Sequence, residues 1–165
     1  MPKNENQGSL LTYTSSQQVS DPINRSILGE LQRNPRLTMS ELGRRVGLSS
    51  PAVTERVRRL EETNVIQGYH LEVNPAALGL PIAAYVRIRP NPGQLPRIAE
   101  LANSIPEIVE CQRVTGEDCF ILKVYLPSLD QLDRVLDRFL MFGTTTTSLI
   151  QSSPVPLRSL PLPGA

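Results

Sequence analysis

Two helix-start signals with a single glycine turn between them constrain this chain more than any other feature. The first is Thr38-Met-Ser-Glu41, a capping box: the threonine hydroxyl satisfies a free amide of the first turn and the glutamate reaches back to the threonine's own amide. The second is Ser49-Ser50-Pro51, a serine cap followed by a proline whose fixed φ and missing N–H suit a first helical turn. Gly47-Leu48 lies between them, which leaves space for a tight turn and nothing longer. Two short helices joined this closely must cross each other and bury their apolar stripes together.

A third helix precedes the pair. Asp21 is a good N-cap, Pro22 suits the first helical position, and Ile23, Ile27, Leu28 and Leu31 share one face until Asn34-Pro35 stops the helix. Met39, Leu42 and Val46 form the stripe of the middle helix; Val53, Val57 and Leu60 form that of the last, which runs through Glu62. Beyond it, Val65-Ile-Gln-Gly-Tyr-His-Leu-Glu-Val73 predicts two extended pieces about Gly68, a wing and a linker strand that Asn74-Pro75 ends.

The second half alternates between the two periods. Ile82 to Arg89 reads as a strand, Leu95, Ile98, Leu101 and Ala102 as a helical stripe, and Ile108 to Val114 as a strand entering a hairpin at Thr115-Gly116-Glu117-Asp118. Cys119 to Leu126 returns; Leu129, Leu132, Val135, Leu136 and Phe139 form a second stripe; Thr144 to Ser152 is β-branched and extended. This order predicts a ferredoxin-like βαββαβ plait. The fold class is therefore α+β, an N-terminal winged helix-turn-helix of three helices followed by the plait. The expected boundaries are a mobile tail over 1–20, the helical domain over 21–68, a linker strand over 69–81, the plait over 82–153, and a proline-rich tail over 154–165 lying along another subunit.

Charge narrows the choice of partners. With 17 Lys and Arg against 16 Asp and Glu the chain is no polycation, so any contact with nucleic acid must be local. From Asp21 to Gly68 there are eight arginines against six carboxylates, a local excess of about +2, and the chain beyond Gly68 is close to −1. The only histidine, His70, and the two cysteines, Cys111 and Cys119, lack metal-ligand spacing, so no metal or cofactor is expected, and His70 is given no role. Cys111 and Cys119 flank the hairpin, but small buried thiols are the ordinary reading and a redox switch the lesser one. Met1 to Gln18 lacks a signal-peptide pattern and no run of about 20 apolar residues follows, so a cytoplasmic, nucleoid-associated protein without a membrane partner is expected.

A helix that reads DNA buries one face and offers short polar and long basic side chains from its N-terminal half to the major groove. With Val53, Val57 and Leu60 inward, Pro51, Thr54, Glu55, Arg58 and Glu62 point outward, with Ser49 and Ser50 at the leading end. Thr54, Glu55 and Arg58 are the candidate base readers. Arg56 and Arg59, with Arg44 and Arg45 on the preceding helix, are candidates for phosphate contact. The bland alternative is a solvated arginine face, and three capped helices weigh against it.

The run Leu42-Gly-Arg-Arg-Val-Gly-Leu-Ser-Ser-Pro-Ala-Val-Thr-Glu-Arg-Val-Arg-Arg-Leu-Glu61, followed by Val65-Ile-Gln-Gly-Tyr69, resembles the Lrp/AsnC, or feast/famine, regulators. The likeness continues through Asn74-Pro-Ala-Ala-Leu-Gly79 and Val114-Thr-Gly-Glu117 to Gly143, covering nearly all of Asp21 to Ser152. The resemblance implies dimers built through the C-terminal sheets, often octamers or similar rings around which DNA wraps, with amino acids as effectors. It also implies an effector pocket near the hairpin, which here reads Thr115-Gly116-Glu117-Asp118-Cys119-Phe120. The family's second acid has become Cys119, with Asp118 beside it, so leucine itself is not assumed. Gly116 permits close backbone approach and Glu117 or Asp118 suits an ammonium group; an ordinary solvated turn is the alternative. Thr146 and Ser148 offer hydroxyls on the last strand, where strand propensity is the better explanation. The expectation is a DNA-binding regulator, not an enzyme. An architectural protein indifferent to ligand is one rival. A tetrapyrrole decarboxylase of similar architecture is the other, although the C-terminal domain has no histidine for such chemistry.

Overall fold

The computed structural model describes residues 17–163. Of the mobile tail expected over residues 1–20, residues 1–16 lie outside them. The described residues form two compact units: 17–71 together with 157–163, and Glu72–Pro156.

The first unit holds three helices, α1 (Pro22–Arg33), α2 (Met39–Val46) and α3 (Ser50–Glu62). Each begins at the cap its sequence announces. Asp21 Oδ1 accepts from the amides of Ile23 and Asn24 at 2.7 and 3.3 Å. The Thr38–Glu41 capping box is complete, with the Glu41 amide donating to Thr38 Oγ1 at 3.2 Å and the Thr38 amide donating to Glu41 Oε2 at 3.1 Å. Ser49 Oγ caps α3 by accepting from the Ala52 amide at 3.4 Å. The apolar stripes then meet in one core of Ile27, Leu28, Leu31, Leu37, Leu42, Val53, Val57 and Leu60.

Three expectations about this unit and the segment that follows it are corrected. Residues 17–20 are helical and belong to the fold: Val19 packs against the core, and Asn24 and Arg25 donate to the carbonyls of Gln18, Val19 and Ser20. The order begins before Asp21 because the buried Asn24 amide needs acceptors that only this upstream turn supplies. The wing does not form as a paired hairpin. Asn64, at φ 59°, ends α3, the amides of Val65 and Ile66 return to the Leu60 carbonyl at 2.9 and 3.0 Å, and both side chains close the core. Residues 67–74 carry no strand, since a two-stranded ribbon with no third strand to pair with is marginal in water. The linker strand is likewise an irregular segment with one 3₁₀ turn, Pro75–Leu78, capped by Asn74.

The C-terminal tail, expected to lie along another subunit, runs back over its own α1. Leu162 joins the helical core opposite Gly29, and the Gln32 side chain donates to the Leu160 carbonyl at 3.1 Å.

The second unit is the plait: β1 (Ile82–Pro90), α4 (Leu95–Asn103), β2 (Ile108–Arg113), β3 (Phe120–Leu126), α5 (Leu129–Asp137) and β4 (Gly143–Leu149). The strands lie in the order β2-β3-β1-β4 and every pair is antiparallel. The last strand stops at Leu149, three residues earlier than its β-branched run suggests. One face of the sheet, with Val86, Ile88, Leu122 and Val124, is buried under Ile98 and Ile105 from α4 and its exit and under Leu132, Val135 and Phe139 of α5 and its exit. The opposite face presents Tyr85, Arg87, Arg89, Thr144, Thr146 and Ser148 as exposed side chains. Among the described residues no helix is long and apolar enough to cross a membrane.

Candidate DNA interface and effector site

The outward face of α3 is assembled as its helical spacing requires. Pro51, Thr54, Glu55, Arg58 and Arg59 are exposed while Val53, Val57 and Leu60 are buried. Thr54 spends its hydroxyl proton on the Ser50 carbonyl, one turn back, at 2.8 Å. It therefore offers a methyl group and an acceptor outward, which suits a thymine methyl or a base amino group.

Arg58 lies between two carboxylates. Its Nε and Nη2 meet Glu55 at 3.0 and 2.6 Å, a bidentate fork, and its Nη1 meets Glu62. The pairing holds the Glu55 carboxyl below and the Arg58 guanidinium above their ordinary pKa ranges, chiefly through the hydrogen bonds between them. All three groups are exposed, and an exposed ion pair is a weak contact that a buried bidentate base contact outcompetes. The same carboxylates repel phosphates, so this helix disfavours indiscriminate contact with the DNA backbone.

The other arginines separate into two groups. Arg44 and Arg59 are exposed and form no ion pair among the described residues, as phosphate contacts require. Arg45 is tied to Glu30 of α1 at 2.9 Å, and Arg33 shares that carboxylate at 2.8 Å. Arg56, expected to swing towards phosphates, instead turns inward. Its Nη1 donates to Asp21 Oδ2 at 2.7 Å and to Asn24 Oδ1 at 2.8 Å. Spacing alone could not reveal this, because both partners lie on another helix.

Asp21 is held below the usual carboxylate range, above all by its hydrogen bond to Arg56. A depressed folded-state value contributes stability that is present above the unfolded value and lost as pH falls through the folded one. The stability gap between wild type and Asp21→Asn, measured by thermal unfolding across a pH series, should be widest near neutrality and close in acid. A gap independent of pH would show that the charge is not what holds this contact.

In the sheet unit the hairpin between β2 and β3 is exposed at Thr115, Gly116 and Glu117, with Gly116 at φ 114°. Arg89 of β1 engages it, meeting Glu117 at 2.7 Å and Asp118 at 3.4 Å. Sequence reading missed Arg89, since only the β1–β3 register brings it to the turn. Cys119 donates its S–H to the Gly116 carbonyl at 3.1 Å; Cys111, expected to be a small buried thiol, is instead exposed on the sheet, with partial desolvation raising its thiol pKa. Thr146 and Ser148 stand elsewhere. They pair with Arg87 and Tyr85, so β1 lies between them and the hairpin, and Ser148 is about 13 Å along the strand from Thr144, the partner of Arg89. Within one chain they do not share a site with the hairpin. A separate groove on the same unit, missed by sequence, is lined by Asn74, Tyr85, Lys123, Tyr125 and Ser152, with the Lys123 ammonium 5.5 Å from the centre of the Tyr125 ring.

The geometry finds its counterpart among known proteins. A family model described as winged helix-turn-helix DNA-binding matches residues 20–67, and one described as Lrp/AsnC ligand binding domain matches residues 83–160. The chain belongs to the Lrp/AsnC family. Among its Lrp/AsnC relatives is the HTH-type transcriptional regulator LrpC of Bacillus subtilis, 36% identical over 80% of this chain and 92% of that one. The leucine-responsive regulatory protein of Escherichia coli K12 is 38% identical, over 73% and 76%. A solved feast or famine regulatory protein of M. tuberculosis, complexed with L-methionine, superposes with a TM-score of 0.80 at 36% identity, covering 87% of this chain and 99% of that one. This Lrp/AsnC chain is a DNA-binding transcription regulator: its helical unit is the DNA-binding part and its plait is the family's ligand-binding domain.

Proposed function

We propose that the chain is a sequence-specific regulator in which α3 enters the major groove and an amino acid bound by the plait alters DNA affinity. The observation that carries this reading is the single exposed face of α3, where Thr54 and Glu55 in the helix's N-terminal half and Arg58 one turn further on stand over a buried apolar stripe. Arg44 and Arg59 supply phosphate contacts. The effector reading draws support from the ligand-binding domain match and from relatives solved with L-methionine. In this chain the effector lies near the Thr115–Cys119 hairpin, where Arg89 is available for its carboxylate and Glu117 or Asp118 for its ammonium. The exposed face of the sheet joins two copies as a dimer, and dimers assemble into an octamer or similar ring. Joining several weak DNA-binding units in this way raises avidity without new contacts. The protein acts in the cytoplasm, at the nucleoid, and catalyses no reaction.

The test is binding to duplex DNA from its own upstream region against random duplex at physiological salt, with and without a panel of amino acids. A preference for the upstream duplex that shifts with one amino acid is expected. Equal, ligand-blind affinity for both duplexes would favour an architectural protein, and no binding would remove α3 as a reading helix. In the same assay Arg44→Gln should lower the steepness of log affinity against log salt by about 0.9 and weaken both duplexes alike. An unchanged slope would take Arg44 off the phosphate backbone.

A further inference from the structure

Among the described residues Asn24 is the one polar side chain that is buried, at 3% exposure. Its amide is fully used. Nδ2 donates to the Gln18 carbonyl at 2.9 Å and to Gln18 Oε1 at 3.0 Å, and Oδ1 accepts from Arg56 at 2.8 Å. The same Arg56 nitrogen donates to Asp21 Oδ2 at 2.7 Å, while the other Asp21 oxygen caps α1. Arg56 lies at the midpoint of α3, between Ala52 and Leu60, and its neighbours Glu55, Arg58 and Arg59 are all exposed. One guanidinium therefore joins the N-terminus of α1 to the middle of α3, and through the Asn24 amide the tie extends to the turn before α1. The apolar stripe of α3 sets how deeply that helix sits. Apolar contact is non-directional and leaves rotation and sliding weakly defined, whereas charge-assisted hydrogen bonds to two fixed acceptors define both.

We propose that Arg56 is a positioning residue: it never touches DNA, and through Asp21 and Asn24 it holds α3 in the orientation that lets Thr54, Glu55 and Arg58 discriminate between bases. This rests on α3 being the reading helix. Loosening it costs discrimination, because a base contact depends on angles that a phosphate contact tolerates, and indiscriminate affinity is left nearly intact.

Two variants and one assay test the inference. Affinities for a duplex that the wild-type chain selects from a randomised library, and for a scrambled duplex of equal composition, are measured across a salt series for wild type, Arg56→Gln and Asp21→Asn. Asparagine caps a helix as well as aspartate does, so Asp21→Asn removes the charge and keeps α1. A positioning role predicts that both variants reduce the selected-to-scrambled ratio at least tenfold, with salt slope and scrambled-duplex affinity unchanged. The double variant should then be no worse than the poorer single. A phosphate contact predicts the opposite signature. Arg56→Gln would flatten the salt slope by about 0.9, and Asp21→Asn, by releasing the guanidinium, would tighten both duplexes. That result overturns the proposal, as does a lower melting temperature with an unchanged ratio, which marks a merely structural tie. If Arg56→Gln does not fold, Asp21→Asn alone still gives opposite signs under the two roles. A wild-type chain that selects no duplex would fail the reading of α3 itself, an outcome distinct from a high wild-type ratio that the variants leave untouched.

Discussion

Phe139→Ala is expected to cost the plait about 3 to 5 kcal/mol, against the roughly 5 to 15 kcal/mol that holds a typical domain together. Phe139 is wholly buried at the exit of α5, within the core that the sheet shares with both helices. Its carbonyl also receives the amides of Phe142 and Gly143, at 2.9 and 3.1 Å, so the residue launches β4 as well as filling the core. Residue 143 must be glycine, because a Cβ there would run into the Arg89 carbonyl across the strand pair. Amide hydrogen exchange should therefore show β1, β3 and β4 losing protection together, and urea unfolding should shift to lower denaturant. A loss under about 1 kcal/mol would mean that the site repacks and that Phe139 is not the keystone of the α5–β4 corner.

The second large effect reverses a familiar sign. Gly to Ala inside a helix ordinarily stabilises by up to about 1 kcal/mol. At Gly43 in α2 an added Cβ would lie 2.7 Å from the Leu48 carbonyl oxygen and 3.4 Å from the Ser49 carbonyl carbon. Both are backbone atoms of the turn that leads into α3, and the turn is closed by the Leu48 amide on the Gly43 carbonyl at 2.8 Å. Gly43→Ala should thus destabilise the helical unit by about 1 to 3 kcal/mol and displace the leading end of α3. DNA affinity should fall steeply while the plait keeps its exchange protection. Gly47→Ala is the companion measurement. Gly47 has nothing within 4 Å of the added atom and suffers only from its left-handed φ of 71°, so its effect should be the smaller. Equal effects would show that strain in the turn, and not the close approach of α2 to the Leu48 carbonyl, governs this motif.

What could be read in advance follows from how local each determinant is. The three helix starts at Asp21, Thr38 and Ser49 were legible because a cap is decided within four residues. The order of strands and helices was legible because hydrophobic period changes along the chain, and the outward residues of α3 followed from a single angle. The wing was misread because Val65 and Ile66 look like a strand locally, yet their partners are core residues of the helical unit. Arg56 was assigned to phosphate because it flanks the buried stripe, and nothing in α3 announces that Asp21 and Asn24 of another helix will claim it. The contact of Arg89 with the hairpin, and the separation of Thr146 and Ser148 from it, depend on strand register, which is a property of the whole sheet.

The returning tail has a consequence for how the protein comes into being. The hydrogen bond between Gln32 and Leu160 spans 128 positions, and the helical core that Leu162 joins was otherwise complete by Ile66. During synthesis α1, α2 and α3 can pack as soon as they are made, but one apolar patch beside Gly29 stays uncovered until residue 162 has been polymerised and the whole plait lies behind it. Closing so long a loop adds little further entropy, so the final step is delayed by the order of translation more than by thermodynamics. The DNA-binding unit is therefore the first part of the chain to begin folding and among the last to finish.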